Sequence, residues 1–135
     1  MTKDGERMMT KEDEIYRCNV CGNIVSVEFA GGGTLVCCGQ DMELLKEKTL
    51  ADEGKEKHVP VVTVSGKIVT VKVGSIEHPM EAGHFITLIQ IFKSGKIVAE
   101  KKLYPGEKPI ATFEFEDVSG ISVREVCNKH GLWRS

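Results

Sequence analysis

The sequence predicts an all-β protein in two parts, a small N-terminal ribbon followed by an antiparallel β-sandwich. Three observations carry this. Cys18, Cys21, Cys37 and Cys38 crowd into a segment too poor in apolar residues to fold on a core of its own, so it needs a staple. Beyond residue 58, β-branched and apolar runs recur at regular short intervals, separated by glycine-containing turns. No stretch carries a convincing helical period. The expected boundaries are a polar tail over 1–13, the cysteine ribbon over 14–48, a charged connector over 49–57 and the sandwich over 58–135.

A chain of 135 residues suits one ordinary domain, or one modest domain with a small metal-stapled one attached. Charged residues make up 28% and the formal net charge is -2, which excludes a global basic field that would draw the protein to nucleic acid or an anionic membrane. Met1 to Tyr16 is highly charged and lacks an apolar run, so neither a secretory signal nor a membrane span is expected there. The expected location is cytoplasmic. In that compartment thiols stay reduced, and five cysteines read as metal ligands or reactive groups.

Taken in order, the ribbon alternates short apolar pieces with turns: Tyr16-Arg17, Ile24 to Phe29, Gly31-Gly32-Gly33, Leu35-Val36. Cys18-x2-Cys21 followed by Gly22 is one turn, and Cys37-Cys38 followed by Gly39 is its counterpart. Four thiolates from two turns form a tetrahedral cage that suits zinc or iron, with two disulfides as the alternative. The adjacent pair is unusual, because two neighbouring cysteines must splay to reach one ion.

In the second part, Val59 to Ser65 and Ile68 to Val73 read as a hairpin through Gly66-Lys67. Phe85 to Phe92 and Ile97 to Tyr104 form a second hairpin around Lys93 to Lys96, and Ile110 to Glu116 with Ile121 to Cys127 a third around Asp117 to Gly120. Residues 111–116 alternate, so one face is wet. Residues 85–92 are apolar on both faces, which places that strand centrally.

All four histidines fall at strand ends or in connections: His58 opens the first strand, His78 precedes Pro79, His84 starts a strand, and His130 lies in the last loop. Cys127 and His130 are close enough for one turn to present both to the same ion. Loops at one end of a rigid sandwich can assemble a site from residues distant in sequence, here a histidine-rich, single-thiolate metal site. Met80 reads as a packing residue.

Four motifs in order, Cys18-x2-Cys21-x15-Cys37-Cys38, Glu56-Lys57-His58-Val59-Pro60, His78-Pro79-Met80-x3-His84 and Cys127-Asn128-x-His130-Gly131-Leu132-Trp133, use every cysteine and every histidine. Together they resemble desulfoferrodoxin, the two-iron form of superoxide reductase, from Tyr16 to Trp133. The resemblance implies a desulforedoxin-like ribbon whose quartet binds one iron, and an immunoglobulin-like sandwich. It implies a second iron with His58, His78, His84 and His130 as equatorial ligands and Cys127 as the axial one. Glu56 then matches the carboxylate that can occupy the sixth position in the oxidised state, and Lys57 the lysine beside it. The implied activity is one-electron reduction of superoxide to hydrogen peroxide without release of dioxygen. The implied partners are a rubredoxin-like electron donor and a second copy in a homodimer.

The chemistry is coherent with that resemblance. Ferrous iron with four neutral imidazoles and one thiolate carries a formal charge of about +1, which attracts an anion despite the negative chain. Lys57 adds local attraction, and a thiolate opposite the open position pushes electron density onto iron. A blue-copper carrier is the rival that also uses histidine and cysteine, but it wants an axial methionine after the cysteine, and none follows Cys127. A zinc ribbon with a passive sandwich explains the quartet and leaves the histidines as coincidence.

Overall fold

The computed structural model describes residues 10–52 and 54–135. They fall into two compact units that divide between Leu45 and Lys46.

The first unit is built from very short strands. β1 (Ile15–Arg17) pairs antiparallel with β2 (Ile24–Ser26) and β5 (Glu43–Leu44), while β3 (Val36–Cys37) and β4 (Gln40–Asp41) make a separate hairpin. Its buried apolar residues are few, chiefly Ile15, Tyr16, Val27 and Leu45, as expected of a unit that needs a staple. The first nine residues of the expected tail lie outside the described residues. Its end is part of the ribbon: the Asp13 N–H donates to the Val27 carbonyl at 2.8 Å, and Lys11 N–H is held by the Glu14 carboxylate at 2.7 Å.

The second unit has two sheets. The larger runs β10 (Lys96–Lys102), β9 (Ile86–Lys93), β12 (Ile121–Cys127), β13 (Gly131–Arg134), β6 (Glu47–Lys48), and the smaller runs β11 (Ile110–Glu114), β8 (Ile68–Val73), β7 (Pro60–Ser65). All pairings are antiparallel except β13 with β6. The core lies between the sheets, where Val69, Val71 and Val73 of β8 and Ala111 of β11 meet Ile86, Ile89, Ile91, Val123 and Cys127. Strand alternation explains the choice, since every second residue of β8 points inward. β9 is buried along most of its length and sits between two partners, the central strand that its two-faced apolar run predicts. Met80 packs against this core and accepts the Ile86 N–H at 3.4 Å.

The structure departs from the sequence expectations at four places. Glu47–Lys48, assigned to the ribbon, form β6 of the sandwich. Arg124 and Arg134 hold Glu47, each at 3.6 Å, and a two-residue strand is too short to show a period. The connector is not wholly irregular, because Lys55–His58 make one helical turn (α1), so His58 closes a helix and β7 starts only at Pro60. His84 pairs with Glu81 in an isolated bridge ahead of β9. Lastly, 110–116 and 121–127 are not a hairpin. β11 pairs with β8 and β12 with β9, so the link between them crosses from one sheet to the other. The Phe115 N–H donates to Lys67 of the small sheet, whereas Asp117 accepts from Ser119 and pairs with Lys93 of the large one. Alternation fixes which face is buried and leaves the neighbouring strand open.

Candidate metal centres

In the ribbon, β1 ends just before Cys18, and the Cys18–Gly22 turn is closed by the Gly22 N–H on the Cys18 carbonyl at 3.0 Å. The Cys21 N–H points at Cys18 Sγ, 3.4 Å away. The neighbouring cysteines splay because the β3–β4 hairpin turns at Cys38 and Gly39, both left-handed with φ of 53° and 75°. This is the two-residue turn that matches strand twist, and it sends Cys37 and Cys38 in different directions. Sulfurs of Cys21 and Cys37 are 3.6 Å apart, and those of Cys37 and Cys38 are 3.9 Å apart. Disulfide sulfurs would sit near 2 Å. A tetrahedral metal with bonds of about 2.3 Å sets its sulfurs about 3.8 Å apart.

The protonation chemistry of the quartet agrees. Amide N–H groups of Cys21 and Val20 pull the Cys18 thiol down to about 6, while the crowded sulfurs of Cys21, Cys37 and Cys18 push Cys38 up to about 12. Cys18 forms its thiolate readily while Cys37 and Cys38 resist, a conflict that a cation among the four sulfurs removes.

The second group is His58, His78, His84, Cys127 and His130, whose ligand atoms all lie within 4.8 Å of one another. The elements that deliver them are α1, the loops around Pro79 and Gly83, the end of β12 and the turn into β13. The four imidazoles form a closed ring in the order 58, 78, 84, 130, with neighbouring centroids 4.8–4.9 Å apart and planes crossing at 70–79°. Facing nitrogens are 3.2 Å apart between His78 and His58, and 3.1 Å between His84 and His130. Four nitrogens in a square around an ion at about 2.1 Å stand about 3.0 Å from their neighbours.

Carbonyls fix the tautomers. Nδ1 of His58 lies 2.8 Å from the Gly54 carbonyl and Nδ1 of His78 2.6 Å from that of Pro79, so both carry their proton on Nδ1 and turn a lone pair inward on Nε2. Two lone pairs at 3.2 Å repel unless a cation lies between them, and these residues fit a metal on that ground. Burial favours the neutral form. It lowers His78 to about 4 and also lowers His58, against the hydrogen bonds to their carbonyls.

Cys127 is fully buried on the core side, 3.8 Å from His130 Nδ1, and accepts the His130 N–H at 3.4 Å. Four nitrogens and one sulfur form a donor set for iron or a similar transition metal.

Three neighbours that the sequence reading left without a role position the group. Asn128 accepts the Phe85 N–H at 2.9 Å and donates to the Gly83 carbonyl at 3.1 Å, tying the His84 loop to the Cys127–His130 turn. Trp133 stacks on His58 at 4.7 Å and 15°, and its Nε1–H donates to the His130 carbonyl at 2.9 Å. Lys48 Nζ reaches the same carbonyl at 3.3 Å. Only Asn128 and Trp133 gave a sequence signal, by their place in the motif.

Lys57 is exposed and borders a cleft of about 460 Å³ together with His78, Pro79, Met80 and Lys108. The Glu56 carboxylate is not among the converging ligand atoms. Its side chain lies along a separate groove with Leu50, Val59 and Val61, and its carbonyl accepts from Ile76 N–H and Ser75 Oγ.

Fold and sites define a two-part β protein with an all-thiolate centre in the ribbon and a four-histidine, one-cysteine centre at one end of the sandwich. Residues 10–45 match the family model described as "Desulfoferrodoxin, N-terminal domain" and residues 50–135 match "Desulfoferrodoxin". The chain belongs to the desulfoferrodoxin family. A desulfoferrodoxin homolog of Archaeoglobus fulgidus is 52% identical over 127 residues, covering 94% of this chain and 99% of the relative. Among solved structures, the superoxide reductase from Treponema pallidum is similar at a TM-score of 0.66 and 27% identity, over 90% of this chain and 95% of that one. The one-iron superoxide reductase from Giardia intestinalis matches at 0.54 and 29%, over 60% of this chain and 96% of that one.

Proposed function

We propose that this chain is a superoxide reductase that takes an electron from a rubredoxin-like donor and delivers it to superoxide at the His4Cys centre. The observation that carries this is the closed ring of four imidazoles over one buried thiolate. His58, His78, His84, His130 and Cys127 hold a mononuclear iron, and Cys18, Cys21, Cys37 and Cys38 hold a second one that relays or stores electrons. Iron held by these residues would supply the one electron that, with two protons, converts superoxide to hydrogen peroxide.

The protein's own groups do the rest. The Gly54 and Pro79 carbonyls keep His58 and His78 in one tautomer and orientation. The N–H of His130 aims at Cys127 Sγ, which suits an anionic sulfur. Lys57, on the rim of the cleft beside His78, attracts the anion and holds a proton at Nζ for the departing product. Glu56 swings from its groove to the centre in the oxidised state. Glu56→Ala should then shift the spectrum of the oxidised mononuclear centre, and an unchanged spectrum removes that role.

Two further features belong to the proposal, a homodimeric assembly and a cytoplasmic location in keeping with reduced thiols. Among the described residues no helix is long and apolar enough to cross a membrane. Product stoichiometry tests the activity. With excess reductant, each superoxide consumed should yield one peroxide and no dioxygen, whereas a dismutase yields dioxygen with every peroxide and a passive binding module leaves the spontaneous rate unchanged.

A further inference from the structure

The sandwich carries a second cation beside the imidazole ring, on β6, which the ligand motifs leave out. Lys48 stands opposite Trp133 in the parallel β6–β13 pairing. Its Nζ lies over the indole, 5.2 Å from the ring centroid, and donates to the His130 carbonyl at 3.3 Å. The same carbonyl receives the Trp133 Nε1–H, and the other side of the connection is the Trp133–His58 stack. One ammonium therefore contacts the indole that stacks on His58 and the carbonyl of His130, two adjacent members of the ring. β6 is fixed where it lies, because Glu47 pairs with both Arg124 and Arg134. The charge is not carried on a loose surface side chain alone but on a strand anchored at two points.

We propose that Lys48 is a positioning residue of the mononuclear centre, holding the Trp133–His130 corner and setting the redox balance of the centre with its positive charge. This rests on the reading that the His4Cys group holds iron. A cation favours the oxidation state with less positive charge, so Lys48 favours ferrous over ferric iron. Lys48 is exposed, and solvent screens it, so the effect is modest. Removing the charge should shift the ferric-to-ferrous equilibrium roughly fivefold toward ferric, a fall of about 40 mV in midpoint potential.

The test is a spectroscopic redox titration of full-length, iron-loaded protein as wild type, Lys48→Met, Lys48→Gln and Lys48→Arg. Lys96→Met is the charge-matched control. Lys96 pairs with Lys93 at the far end of β9, roughly 20 Å along the strand from Ile86 beside Cys127. The expected result is a fall for Met and Gln, with Arg and the Lys96 control within twofold of wild type. If Lys48→Met loses iron, Lys48→Gln carries the test alone, since it keeps a donor for the His130 carbonyl. Ferric-to-ferrous equilibria of Lys48→Gln and wild type that agree within twofold, or a shift matched by Lys96→Met, would overturn the proposal. Wild-type protein that titrates but ignores superoxide would instead sink the reductase reading, leaving the Lys48 comparison decisive on its own.

Discussion

Gly74 tests how the fold sets the position of the Lys57–His58 turn. Its φ is +85°, and a Cβ built there would lie 2.4 Å from the Ile76 carbonyl oxygen and 2.7 Å from that of Lys57. Both are backbone atoms, so no side chain can swing away. Its own N–H donates to the Val59 carbonyl at 3.2 Å, which joins the end of β8 to the start of β7. Gly74→Ala should cost about 1–2 kcal/mol for left-handed strain, and forcing the backbones apart should add about 1–3 kcal/mol. Gly120→Ala is the control, with φ +68° and nothing within 4 Å of the added Cβ, and should show the strain alone. Thermal unfolding followed by circular dichroism, at equal metal loading, reads the difference. At about 4–8 °C per kcal/mol for a domain of this size, Gly74→Ala should melt at least several degrees below Gly120→Ala. It should also bind less iron at the His4Cys centre, because the clash pushes on Lys57 and Ile76, which border His58 and the His78 loop. Equal melting temperatures for the two variants would show that the close approach of backbone at Gly74 imposes no constraint beyond its positive φ.

Other substitutions and conditions give distinct outcomes. Asn128→Ala removes the two side-chain bonds that tie the His84 loop to the Cys127–His130 turn and leaves the Asn128 N–H on the Phe85 carbonyl, so it should cost about 1–3 kcal/mol and loosen iron, read as faster loss to a chelator; unchanged loss would show that the side-chain clamp is redundant. Lys57→Met should slow the reaction with superoxide and flatten its dependence on ionic strength, and stopped-flow rates equal to wild type across salt would remove its steering role. The metal-free chain should lose stability on acidification. His78 is lowered by burial from 6.5 to about 4, so the unfolded state binds the extra proton first, and the contribution present above pH 6.5 fades as pH falls toward 4. Melting temperatures measured from pH 8 to pH 4 should fall across that window, and a His78→Gln variant should show a shallower fall.

How the ligand groups assemble was legible because chemistry dictated it. Four cysteines in two turns and a Cys-x2-His pair beside three other histidines at strand boundaries have few uses besides a metal, and the structure gathers them into two clusters. The first two hairpins were legible because their turns carry their own code; Ser94 and Gly95, with φ of 54° and 77°, form the tight turn that joins β9 to β10. The third failed because Phe113 and Phe115 report burial and say nothing of which sheet they border. β6 was hidden by its length, since its place depends on Arg124 and Arg134, far along the chain. The splay of Cys37 and Cys38 was equally hidden, because it rests on a left-handed Cys38 that no propensity favours. The tautomer-setting carbonyls of Gly54 and Pro79 are backbone atoms, and residue identity cannot announce them.

Ligation of a reactive iron by Cys127 and the four histidines is tested by combining metal content with the visible spectrum of the mononuclear centre, for wild type and Cys127→Ser. Protein reduced without oxygen would be exposed to a pulse of superoxide and its spectrum recorded before and after. Two irons per chain are expected in the wild type, with a thiolate-to-iron charge-transfer band that appears as peroxide forms. Cys127→Ser should lose that band while the ribbon's own thiolate bands remain. Zinc in place of iron at the His4Cys group, or an unchanged band in Cys127→Ser, would contradict it.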